Sequence, residues 1–240
     1  QVEAAEPLLR VPWRYESRAV LLDAWEVARW RGEPRGREGQ ALRWAGTDGL
    51  HAIAMPPADR PIATALRMAR SMMVSAEPDD DTGAFLAGIE RALERGVRLL
   101  QLRARHAGPA RLRELATAVQ RLAQAHGARV LINGEPDLAI ELGLDGVHLP
   151  ASALTPVRPV PPGMLCGASC HDARQLAAAL VAGVDYVVLG PVAETASHPG
   201  AAPLGWQAAA ALIEDYPLPV YLIGGLGPGD LPAARAAGAY

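Results

Sequence analysis

From about Arg70 onward the chain repeats one rhythm: a short apolar run, a turn, then a helix-length amphipathic segment. Apolar runs bounded by turn residues predict strands near 71–75, 97–102, 129–132, 146–149, 165–168, 186–189 and 220–223. The intervening segments predict helices near 83–95, 109–126, 137–142, 173–182, 206–214 and 229–236. Gly96, Gly127, Gly143 and Gly183 fall where those helices should end. Asp172 and Gln175 have the spacing of a capping box, which starts a helix just after His171. Before Arg70 the texture differs. Residues 18–30 alternate as a long strand, a turn-rich stretch follows, and a short strand at 41–45 and a helix at 61–68 complete an α+β fragment.

Strands that alternate with helices favour a parallel sheet. The steady helix–Gly–strand period, without an early G-x-G-x-x-G, favours a closed barrel over a doubly wound sheet. The expected fold is α/β, a (β/α)8 TIM-type barrel over residues 68–240 lacking its last strand. A partial domain over residues 1–67 precedes it. The chain opens on Gln1 and stops at Tyr240 just after a helix, so both ends read as cut.

Composition narrows the picture. The chain has 240 residues, half of them hydrophobic, and a net charge of −3 with no basic run, which argues against a nucleic-acid polymer as partner. The two cysteines, Cys166 and Cys170, lack a second pair for a zinc site and read as reduced thiols of a cytoplasmic protein. No stretch of about 18 apolar residues suggests a membrane span.

In a βα barrel the chemistry gathers where strands give way to loops. Gly163-Met-Leu-Cys-Gly-Ala-Ser-Cys-His171 places Ser169 and His171 at such a strand end. Histidine can both take and give a proton near neutrality, so His171, with Ser169 beside it, is the candidate acid–base site. Gln101, Arg103 and Arg105, spaced by two, would share one face if their strand continued, and guanidiniums suit a phosphate or carboxylate. Asn133, Thr195 and Ser197 fall at other strand ends. Gly224-Gly225 lets backbone approach an anion, and the helix after it favours negative charge. His148, inside an apolar strand, reads as a wall residue.

Gln101-Leu-Arg103, His148-Leu149, Gly167-Ala-Ser-Cys-His171, Asp185-Tyr through Gly190-Pro191, Thr195-Ala-Ser197 and Ile223-Gly-Gly225 follow an order that resembles the thiamine-phosphate synthase superfamily. The resemblance implies a barrel whose synthases join a pyrimidine pyrophosphate to a thiazole phosphate with magnesium. Family members carry aspartates that hold the ion, and here those positions are Gly134 and Ala153. A family lysine is His198. Asn133-Gly134, His148-Leu-Pro-Ala-Ser152 and Glu194-Thr195 resemble instead the TenI thiazole tautomerase branch. That branch implies a metal-free proton transfer on a thiazole carboxylate phosphate, with His171 as shuttle and Gly224 and Gly225 opening the phosphate site. The expected partner is therefore a small phosphorylated thiazole, with no cofactor for the barrel. The alternatives are a synthase using other magnesium ligands and a non-catalytic barrel. A homo-oligomer is compatible with either.

Tyr15 through Trp30, Gly32-Glu-Pro34, Gly36-Arg-Glu-Gly-Gln40 and Pro56-Pro-Ala-Asp59 resemble the C-terminal half of a MutT-type Nudix hydrolase, an 8-oxo-dGTP diphosphatase. The resemblance implies Glu38 as a magnesium ligand. The Nudix box is absent from these residues, so the metal would require a box upstream.

Overall fold

The computed structural model describes residues 1–195, 200 and 202–240. It opens on a two-stranded antiparallel ribbon, β1 (Val2–Arg14) and β2 (Ala19–Trp30). Strand β2 matches the alternating run. Strand β1 was not expected; Pro7 and Pro12 interrupt its apolar pattern, and proline weakens a strand reading. Residues 41–45 form no strand, contrary to expectation. They alternate, yet they find no partner strand, and Leu42 and Trp44 are 56% and 77% exposed. A 3-10 turn over Thr47–Ala52 and helix α1 (Arg60–Ala65) then lead into the barrel region.

There the expected rhythm holds. Strand β3 (Met73–Val74) is followed by α2 (Thr82–Glu94), β4 (Leu99–Leu102), α3 (Pro109–Ala125), β5 (Arg129–Asn133), α4 (Pro136–Leu142) and β6 (Gly146–Leu149). Then come β7 (Leu165–Cys170), α5 (Ala173–Val181), β8 (Tyr186–Leu189), α6 (Gly205–Ile213), β9 (Val220–Leu222) and α7 (Leu231–Ala236). The seven strands β3 to β9 pair in chain order, all parallel, as successive βα units require. The helix starts are chemical: Asp81 accepts from the Ala84 N–H at 2.9 Å and Asp172 from the Gln175 N–H at 2.8 Å. The glycines expected at helix ends, Gly96, Gly127, Gly143 and Gly183, all take positive φ.

Because side chains alternate along a strand, each strand contributes to two cores. Leu100, Val130, Ile132, Val147, Cys166, Val187 and Val220 face the helices, against Leu93, Leu115, Val119 and Leu176. Each of those leucines, almost fully buried, is worth about 1.5–3 kcal/mol. Leu99, Leu131, Leu165, Tyr186, Val188 and Tyr221 face the inside of the curled sheet. Leu8 of the ribbon, Ala65 of α1 and Met68 pack into that same inner cluster, so the N-terminal segment closes the interior at the strands' starting ends. Tyr240 seals it: its hydroxyl donates to the Ala65 carbonyl at 2.6 Å, and its N–H to Val220 at 2.9 Å. Arg129 bridges Asp48 of the segment and Asp145 of the barrel. Among the described residues no helix is long and apolar enough to cross a membrane.

Candidate functional site

The opposite end of the sheet, where strands finish, carries most of the residues singled out from the sequence. Gln101 is 4% exposed and its amide donates to Asn133 Oδ1 at 2.9 Å, so these two meet inside the mouth. Strand β4 ends at Leu102, so the shared strand face expected for Gln101, Arg103 and Arg105 does not extend to the last of them. The Arg103 backbone is fastened to Ser75: its N–H donates to Ser75 Oγ at 2.9 Å, and the hydroxyl donates back to its carbonyl. The guanidinium is half-buried. Burial and the charge of Arg105 lower its pKa, with Glu77 opposing them. Arg105 sits exposed in the turn that follows.

Ser169 and His171 are both at the end of β7, but they do not engage each other. Ser169 points inward, where its Oγ lies 2.8 Å from His148 Nε2. His148 is 1% exposed, and its Nδ1 lies 3.2 Å from the Tyr186 hydroxyl. The wall reading of His148 therefore stands, with a contact to the site that the sequence reading missed. Alternation offered a signal: Gly146 and His148 share a face, as do Gly167 and Ser169, and Gly167 makes room for Tyr186. A Cβ on Gly167 would sit 2.0 Å from the Tyr186 ring.

His171 turns the other way. Its Nδ1 lies 2.5 Å from the Gly190 carbonyl at the end of β8, and its backbone N–H donates to Gln175 Oε1 at 2.8 Å. A carbonyl only accepts, so the neutral ring carries its proton on Nδ1. No partner for Nε2 is found among the described residues, which leaves its lone pair open at the rim.

The Gly224-Gly225 turn packs on the loop after β8. Both glycines have positive φ, 100° and 65°, and a Cβ would meet Pro191 at 2.4 Å or the Glu194 carbonyl at 2.3 Å. Val192 and Ala193 donate back to Ile223 and Gly224, which zips the two loops together. The N–H groups of Gly224, Gly225 and Leu226 find no acceptor among the described residues. Successive free N–H groups in left-handed backbone make an anion-binding nest. The helix dipole expected behind it is partly spent, because Asp230 already accepts from the Gly227 N–H. Thr195 lies on this rim and is hydrogen-bonded or otherwise engaged. Ser197 and His198 fall outside the described residues.

Gly134 follows β5 with φ 79° and Ala153 closes a 3-10 turn, so neither position to which the resemblance assigns a magnesium aspartate carries a carboxylate. Among the described residues no three His, Cys, Asp or Glu side chains group together. Glu38 is exposed on a turn, and a magnesium ion held through carboxylates would need more than it provides. The two thiols are buried, which pushes Cys166 up to about 11 and Cys170 up to about 12, so neither is a nucleophile at neutral pH.

Residues 71–240 match the family model described as TMP-TENI, thiamine monophosphate synthase. A putative thiamine-phosphate synthase of Geobacter sulfurreducens is 40% identical over 161 residues, covering 65% of this chain and 75% of that protein. The thiamine-phosphate synthase of Thermus thermophilus is 38% identical over 171 residues, covering 70% and 82%. A thiamine phosphate pyrophosphorylase structure from Pyrococcus furiosus superimposes with a TM-score of 0.60 at 21% identity, over 70% of this chain and 81% of that one, and shares the fold. Residues 1–70 lie outside the family match, and none of these comparisons indicates a Nudix segment. With its parallel βα sheet and its motifs in this order, the chain belongs to the thiamine monophosphate synthase family.

Proposed function

We propose that the barrel carries out a metal-free proton transfer on a small phosphorylated thiazole, the thiazole tautomerase reaction. The observation that carries this is the contact of His171 Nδ1 with the Gly190 carbonyl. The Gly190 carbonyl holds the proton on Nδ1 and leaves Nε2 as a base at the rim. Such a base can take a ring proton of the substrate and return it at another atom, with no net change in the enzyme. The nest at Gly224 and Gly225 and the Arg103 guanidinium supply the donors a phosphate needs. Gly134 and Ala153 give no carboxylate for the ion that the synthase reaction uses.

The test is aromatisation of the thiazole carboxylate phosphate by the purified protein with a chelator present. His171→Ala is expected to slow it by about 10²–10⁴-fold. An unchanged rate in that variant removes His171 from the reaction. The names of the relatives favour a second reading, a synthase with other magnesium ligands. Thiamine phosphate formed only with magnesium would establish that reading and displace the first. A soluble, cytoplasmic protein without a nucleic-acid polymer or membrane partner fits both.

For residues 1–67 we propose the C-terminal half of a Nudix fold. Support comes from the ribbon's outer face, where Leu21, Trp25 and Val27 are 53%, 53% and 39% exposed, an apolar strip suited to a further sheet. The expected result is hydrolysis of 8-oxo-dGTP when these residues are joined to a Nudix box, reduced by Glu38→Gln. A joined protein without that activity would reject the assignment.

A further inference from the structure

The interior of the barrel contains a short relay, Tyr186–His148–Ser169, whose direction follows from counting hydrogens. His148 is fully enclosed, and burial pushes its pKa down to about 3, so one ring nitrogen carries a proton and the other does not. If Nδ1 carried it, that N–H would point at the Tyr186 oxygen. The phenol proton would then have no acceptor, because His148 is the sole hydrogen-bond partner of that buried hydroxyl among the described residues. A buried donor without an acceptor is the costlier arrangement. If Nε2 carries it, every group is used. Tyr186 donates to Nδ1, and Nε2–H donates to Ser169 Oγ at 2.8 Å. The Ser169 proton is then the one left over. Ser169 is half-buried and has no other hydrogen-bond partner among the described residues, so that proton is available to a bound molecule.

Resting on the function proposed above, we infer that His148 and Tyr186 are positioning residues that turn Ser169 into a one-way hydrogen-bond donor for an anionic oxygen, phosphate or carboxylate, of the bound substrate. With Nε2 already carrying its proton, His148 has no lone pair to take one from Ser169, so Ser169 acts as a donor and not as a nucleophile. Ser169 thus holds the substrate while His171, on the far side of the same strand end, moves the proton.

Histidine-labelled protein read by two-bond nitrogen–proton NMR tests the relay directly. The expected spectrum shows His148 protonated on Nε2 only, unchanged between pH 5 and 8. An Nδ1-protonated His148 would reverse the relay and overturn the proposal, whatever the protein catalyses. In the assay on thiazole carboxylate phosphate, Ser169→Ala and His148→Leu should each raise KM by about 10- to 100-fold with a smaller change in kcat. The double variant should be no worse than either alone. His148→Gln, whose amide can donate where Nε2–H did, should recover most of the loss. Equal loss in His148→Leu and His148→Gln at matched melting temperatures would overturn the proposal. No turnover in the parent protein would overturn the function, and the NMR spectrum would still decide the relay.

Discussion

At His148 both ring nitrogens are engaged, and at His171 one finds no partner among the described residues. The first ring lies deep in the barrel between Ser169 and Tyr186, on top of an aromatic column. Tyr186 meets Tyr221 edge-on at 5.7 Å, and Tyr221 meets Tyr240 edge-on at 5.8 Å. The second ring lies at the rim, fastened at Nδ1 alone. The difference teaches how one fold assigns two roles to one residue type. Burial with two partners makes a histidine a fixed strut. A single backbone partner at a strand end fixes its tautomer and leaves it a working nitrogen. Stability should therefore depend on the surroundings of His148, and turnover on His171.

The most severe way to break this contrast is Gly167→Ala. The added methyl would overlap the Tyr186 ring, 2.0 Å from its nearest carbon, and the ring is fully enclosed. Overpacking costs about 1–3 kcal/mol where side chains can shift, and this column has little room, so a loss at or above the top of that range is expected. Chemical denaturation would show it. A stability within 0.5 kcal/mol of the parent would mean the column yields easily, and the strut picture of His148 would fail.

A pH titration of stability sharpens the same contrast. The pKa of His148 falls from 6.5 to about 3 in the folded protein, because burial disfavours the charged ring. Above pH 6.5 both states hold a neutral ring and nothing is lost. Between 6.5 and 3 the unfolded chain binds a proton that the folded one refuses, so stability falls as pH falls. The slope from this group approaches about 1.4 kcal/mol per pH unit. His148→Leu should remove that part of the slope, read as the difference between the two proteins from pH 7 to 5. Parallel curves would show that the ring is charged or hydrated in the native state.

Much of this is legible in the sequence alone. The βα rhythm located the barrel strands and helices to within a few residues, because the alternation and the turn glycines are local signals. Asp172 and Gln175 announced the start of α5 for the same reason. What failed was non-local. The 41–45 segment reads like a strand, but a strand exists only with a paired neighbour, and although Trp30 of β2 stacks on Trp44 no strand pairs with its backbone. Strand β1 hid behind Pro7 and Pro12, which an edge of a two-stranded ribbon tolerates. In the site, Ser169 and His171 looked like a pair because they are two residues apart. Strand β7 ends at Cys170, so the pair separates, one side chain inward to His148 and the other across to Gly190. The Gln101–Asn133 and His148–Ser169 contacts join different strands, and only the parity of inward positions hinted at them.

The smallest expected effect is the stability of His171→Ala. The ring is exposed, and its loss removes one hydrogen bond, to the Gly190 carbonyl. That carbonyl lies at the mouth, where water can replace the ring, so the cost should stay at or below about 1 kcal/mol. The backbone N–H of residue 171 still donates to Gln175, so the start of α5 is untouched. Denaturation of this variant beside His148→Leu gives the sharpest form of the comparison: a rim histidine whose removal leaves the melting temperature nearly in place, and an interior one whose removal changes how stability responds to acid. If His171→Ala instead lost several kcal/mol, the ring would be a strut as well, and a fall in its turnover would no longer speak for proton transfer.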